Sequence, residues 1–184
     1  MIAVAIGAAV IASCAGDATP SVPARAFASL RAGDTVRVDA ETLAQDAVEP
    51  AALLALLDAA GFVDAVERTF VGSEDIRSVT ARVVAFSSEE GARRYLGWLR
   101  THADDLLGEA DEGSPVELAG EVSGMTFTSA PGGCCAKATT TSLAAWRRGS
   151  AVLTVIAAGP GAGATGISEL AGDFDDATTA EGGT

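Results

Sequence analysis

Two adjacent cysteines, Cys134 and Cys135, are the residues of this chain best placed by type and spacing to do chemistry. They follow Gly132-Gly133, and three states are open to them: a vicinal disulfide stiffening that turn, two reduced thiols, or a redox or metal site. A trans peptide holds neighbouring Cα atoms about 3.8 Å apart, short of the roughly 4.4–6.8 Å of ordinary disulfides. A bridge between them would be strained, and strained bridges are the readily reduced ones. A reactive thiol would also need exposure and a nearby cation to lower its pKa, for which Lys137 is at hand. The spacing is not the Cys-x-x-Cys of zinc sites and thioredoxin-like motifs. The assignment is therefore a disulfide or thiol at Cys134 and Cys135, with no metal and no cofactor. His102 is the single histidine, so a Ser-His-Asp triad has one base to use and no nucleophile elbow to serve. It reads as an exposed helical histidine at the rim of an apolar face. Tyr95, Trp98 and Trp146 are candidates for lining a pocket between helix and sheet, with core packing as the plainer alternative. The acidic groups Asp104-Asp105 and Asp173, Asp175-Asp176 match neither a calcium loop nor a paired-carboxylate site, and read as solvated helix faces.

Gly161-x-Gly163-x-x-Gly166 has the dinucleotide-binding spacing and lies between a strand and a helix. That chemistry also needs a βαβ unit and an acidic residue about 20 positions on, at the end of a second strand. No such strand follows. The run reads as a flexible connection before a helix whose N-terminus could hold an anion weakly. No Gly-Lys-Ser/Thr follows it either, which excludes a Walker-type phosphate loop.

The elements that must position these residues centre on Ser78 to Gly108. Val79, Ala81, Val83 and Ala85 alternate with Thr80, Arg82, Val84 and Phe86, the period of a strand. Ser87-Ser88-Glu89-Glu90 is a capping-box pattern in which Glu90 can reach back. Ala92, Tyr95, Leu96, Leu99, Ala103 and Leu106 then form one helix face, ended by Gly108. Upstream, Asp34–Asp39 is a short edge strand, Pro50 opens a helix, and Phe62–Val71 forms a hairpin with the strand from Ser78. Downstream, Glu109–Gly120 reads as a loop and Val122–Ser129 as a strand. Thr139–Arg147 and Ala151–Ala158 make a second hairpin around Gly149, and a helix runs from about Thr165 to Ala177. Hairpins separated by helices predict an α+β fold, an antiparallel sheet of about five strands packed with about three helices.

Length and charge narrow the function. Of 184 residues, about 145 are expected to fold, enough for one domain with one core. The net charge is −13 and the cations are scattered, which argues against nucleic acid and against electrostatic attachment to anionic lipid. Ile2 to Ala12 is an apolar run too short to span a bilayer and suited to a signal-peptide core. It ends in Ile11-Ala12-Ser13-Cys14, which resembles the bacterial lipobox; the resemblance covers residues 1–14 and implies lipidation at Cys14. No Lys or Arg precedes the run, so a start further upstream is expected. One acyl chain holds a membrane only marginally, so the anchor needs several.

The element order is similar to PsbP-like α-β-α sandwiches. Arg68-Thr69-Phe70, Thr80–Phe86, Tyr95-Leu96-Gly97-Trp98-Leu99 and Ala145-Trp146-Arg147-Arg148-Gly149 resemble an actinobacterial cell-envelope lipoprotein family without an assigned activity. That resemblance implies an envelope protein and no catalytic residues. The expected organisation is a signal peptide at 1–13, a lipidated tether at 14–33, one α+β domain at 34–178 and a disordered tail at 179–184. The expected function is a non-catalytic binding or interaction module on the outer face of the cytoplasmic membrane, held there by its lipid anchor. Its partner would be an envelope protein or a small apolar ligand. The alternatives are a thiol redox or metal-binding protein using Cys134 and Cys135, and a carrier of a small apolar ligand.

Overall fold

The computed structural model describes residues 20–72, 74–120, 122–129 and 139–182. In chain order the elements are β1 (Arg31–Arg37), α1 (Ala40–Ala44), α2 (Pro50–Ala59), β2 (Phe62–Val71), β3 (Ser78–Phe86), α3 (Glu89–Thr101) and α4 (Ala103–Leu107), followed by β4 (Ser114–Leu118), β5 (Val122–Thr128), β6 (Thr140–Arg148), β7 (Ala151–Gly159) and α5 (Ala164–Gly182). All strands join one antiparallel sheet in the order β1-β2-β3-β7-β6-β5-β4. The fold is α+β, as the hairpin pattern predicts.

Both faces of the sheet are covered. Val79, Ala81 and Val83 of β3 point to one face, with Phe70, Trp146 and Val155, under Ile167, Ala171 and Phe174 of α5. Val84 and Phe86 point to the other, with Ala65, Ala145 and Val152, under Leu53 and Leu57 of α2 and Tyr95, Leu96 and Leu99 of α3. Two covered faces explain why β7 reads as a nearly unbroken apolar run and why Leu143 to Trp146 of β6 are all buried. Local chemistry sets the helix ends. Pro50 occupies the first turn of α2, where its missing N–H costs nothing. Ser88 caps α3 by accepting from Gly91 N at 3.1 Å. The return contact expected of Glu90 does not form; its carboxylate pairs with Arg93 and Arg94 instead. The β6–β7 hairpin turns through Gly149 at φ 56°, as expected.

Five differences from the sequence reading follow from packing. The segment read as the loop Glu109–Gly120 contains β4, because Val116 and Leu118 alternate inward and Pro115 is tolerated on an edge. With β1, this brings the sheet to seven strands rather than about five. Asp39 caps an extra one-turn helix, α1, through Thr42 N at 2.8 Å. The long helix expected through Leu106 breaks at His102 into α3 and α4, so the described helices number five rather than about three. The tether expected at 14–33 is described from Pro20, and there Val22, Ala26 and Phe27 are buried; Phe27 meets Phe70 edge-on at 4.7 Å. The tail expected from 179 is helical to Gly182, continuing α5.

Candidate functional site

Arg82 lies on the α2–α3 face of the sheet, among the apolar residues of that core. It lies on β3 opposite Glu67 of β2 on one side and Thr154 of β7 on the other. Its side chain is 13% exposed, so its charge must be answered locally. Nε donates to Glu67 Oε2 at 2.8 Å, and Nη2 donates to Glu67 and to Asp46 Oδ2 at 2.9 Å, Asp46 lying just beyond α1. Burial pulls the guanidinium pKa down, but Tyr95, Glu67 and Asp46 together hold it above its usual value. Burial pushes the phenol of Tyr95 up to about 12, against the opposing pull of Arg82.

An aromatic column runs along α3 beside this cluster. Phe86 meets Tyr95 at 5.5 Å, Tyr95 stacks on Trp98 at 6.3 Å, and Trp98 stacks on His102 at 4.6 Å. The Nδ1 of His102 lies 3.0 Å from Trp98 O and 2.9 Å from Thr101 Oγ1. The expected exposed histidine is half-buried, because the backbone leaves the helix there, at φ −129° and ψ 26°. Between Arg82, the column and the sheet lies a cavity walled by Leu43, Leu53, Leu99, Leu106, Leu143 and Ile156. At about 10 Å³ it has room for one water.

The expected pocket of Tyr95, Trp98 and Trp146 does not assemble. Tyr95 and Trp98 line this cavity, whereas Trp146 is fully buried on the opposite face of the sheet under α5. There its Nε1 donates to Asp175 Oδ1 at 2.9 Å. Asp175, 1% exposed, also accepts from Arg148 Nε at 2.8 Å and from Arg148 Nη2. This corrects the reading of the Asp173–Asp176 group as a solvated face: its middle carboxylate is an internal acceptor. The hydrogen bonds to Asp175 hold the Arg148 pKa above its usual value. Beside this ion pair, Ala119, Gly120, Asp176 and Thr179 border a surface cleft of about 440 Å³. Cys14, Cys134, Cys135 and Lys137 lie outside the described residues.

The Gly161–Gly166 run has a packing role. It leaves an antiparallel strand rather than a βαβ crossover. Gly161 N donates to Asp75 O at 2.9 Å, and a Cβ on Gly166 would fall 2.0 Å from Gly161 O. Gly166→Ala is expected to lower stability by about 2 kcal/mol through this backbone clash, read as a lower urea midpoint at unchanged slope. An unchanged midpoint would show that the turn has slack.

The sequence does not single out Arg82, Asp46 or Glu67, and it places Asp175 only on a solvated face. The available signals were an arginine at a position flanked by apolar residues in β3, and a carboxylate four residues after buried Ala171 on the apolar face of α5. No protein-family model matches the chain, and no curated protein matches it significantly. The crystal structure of the extracellular domain of PknH from Mycobacterium tuberculosis is similar over 82% of this chain and 86% of that one, at 15% identity and a TM-score of 0.46.

Proposed function

We propose that this chain is a lipid-anchored extracytoplasmic domain that binds a partner or ligand and does not catalyse. The anchor rests on the apolar run Ile2–Ala12 followed by Ile11-Ala12-Ser13-Cys14. The observation that carries the binding reading is the junction of an ion-paired cluster with an apolar cavity: Arg82 with Glu67 and Asp46 at one end, Leu143 and Ile156 at the other. Enlarged from the one-water cavity it now encloses, such a junction would orient a ligand by a few polar contacts and hold it by burial. Catalysis would ask more of these groups than their pairing leaves. Arg82 donates to two carboxylates, and His102 has one ring nitrogen held against Trp98 O.

The test is the intact mass and detergent-phase partition of the full chain produced in a bacterium that processes lipoproteins. The mature protein is expected to begin at Cys14, carry diacylglycerol and enter the detergent phase. Cys14→Ala is expected to keep residues 1–13 and lose the lipid mass. A wild-type chain that stays aqueous, with 1–13 still attached, would overturn the anchored reading.

A further inference from the structure

The break between α3 and α4 is not one the local sequence favours. Leu99, Ala103 and Leu106 keep helical spacing across it, and His102 provides α4 with no side-chain cap. What opposes a straight helix is docking. Leu106 and Leu107 pack on a small cluster that Ala103 of α4 forms with Phe127 and Leu143, and Leu106 also touches the α2–α3 core. The far end of α4 turns at Gly108, with φ 86° and open space where a Cβ would lie. Docking covers Leu143 and Ile156, whereas a straight α3–α4 helix, which the spacing of Leu99, Ala103 and Leu106 would allow, would lift Leu106 off them. An element with two such arrangements would be shifted by whatever binds one of them better.

We propose that α4 is a hinged lid over an apolar ligand site, and that the ligand is an uncharged amphiphile. Its apolar chain would replace Leu106 against Leu143 and Ile156, beside Trp98. Its carbonyl or hydroxyl oxygen would face Arg82. The charge count decides the class: one guanidinium against the carboxylates of Glu67 and Asp46 leaves the polar end at net −1, which repels a free carboxylate or phosphate. The closed cavity, with room for one water, is the lid-down state. This inference rests on the binding reading above and gives it a ligand class.

The experiment titrates the mature full-length protein with N-phenyl-1-naphthylamine, a neutral apolar fluorophore, and then competes it with monolaurin or with laurate. The two tryptophans divide the work. Trp98 lies at the site and is expected to sensitise the probe, while Trp146, on the other face, reports that the fold is intact. Ile156→Phe fills the cavity and is expected to weaken probe binding at least tenfold with Trp146 emission unchanged. His102→Ala favours the straight helix and is expected to tighten binding severalfold, since a larger fraction is open. Monolaurin is expected to displace the probe at a concentration at least tenfold lower than laurate. No probe binding by the wild type, unaltered binding in both variants, or laurate competing as well as monolaurin each overturns the proposal. The mass and partition of Cys14 are read separately, so failure of the lid leaves the anchored reading to its own test.

Discussion

Asp175→Ala should destabilise the domain by about 3 kcal/mol, because it removes the acceptor of both Arg148 and Trp146 at once. The indole N–H is left without a partner in a fully buried site, where the loss is least compensated. Arg148 is 31% exposed and keeps Ala119 O, so its share is smaller than that of a fully buried cation. At roughly 2–4 °C per kcal/mol for a domain of this size, the melting temperature should fall by about 6–12 °C. Asp175→Asn, which keeps an acceptor for the indole, should lose less. Trp146→Phe in the Asp175→Ala background should cost less than the two single losses combined, since the orphaned donor is gone. A fall below about 1 kcal/mol for Asp175→Ala would mean that water replaces the carboxylate.

The second large effect appears on alkaline titration. Tyr95 is the single tyrosine of the chain, so the phenolate absorbance of the folded protein reports it alone. Its folded pKa is pushed up to about 12, against about 10 in an unfolded chain. The folded state therefore keeps a proton that the unfolded state has released. Stability is whole below about pH 10 and falls as pH rises through 10 to 12, by about 3 kcal/mol in all. Tyr95→Phe should abolish that part of the slope while leaving a folded protein. A phenolate that appears near pH 10 without unfolding would show that solvent reaches the hydroxyl.

Much of the scaffold is readable from residue types alone. The period of two in β3, the proline of α2, the serine cap of α3 and the glycine of the β6–β7 turn each act through their nearest neighbours. What is hard to read depends on which face a residue takes. Trp146 and Ala145 are neighbours in β6 and both fully buried, so alternation alone does not say which layer receives the indole. The Tyr95, Trp98 and Trp146 grouping fails for that reason. Arg82 looks like one more surface cation until the register places Glu67 beside it and the turn after α1 brings Asp46 over it. The break at His102 is hidden for a different reason: local spacing favours one helix, and only contacts with β5 and β6 argue for two.

The strand order has a consequence for how such a chain is made. The centre of the sheet is the β3–β7 pairing, Ser78 against Ala158 through Ala85 against Ala151. The β1–β3 ribbon thus lacks its inner neighbour until nearly the whole polypeptide has emerged. Distant pairings of this kind form slowly, since the loop must close before the contacts reward it. During vectorial synthesis the nascent chain would hold no finished barrier to threading, and a proposed export through a narrow translocation channel would meet an extended substrate. Termination ahead of Ala151 would leave two unpaired ribbons rather than a smaller domain, a species prone to aggregate and to be degraded.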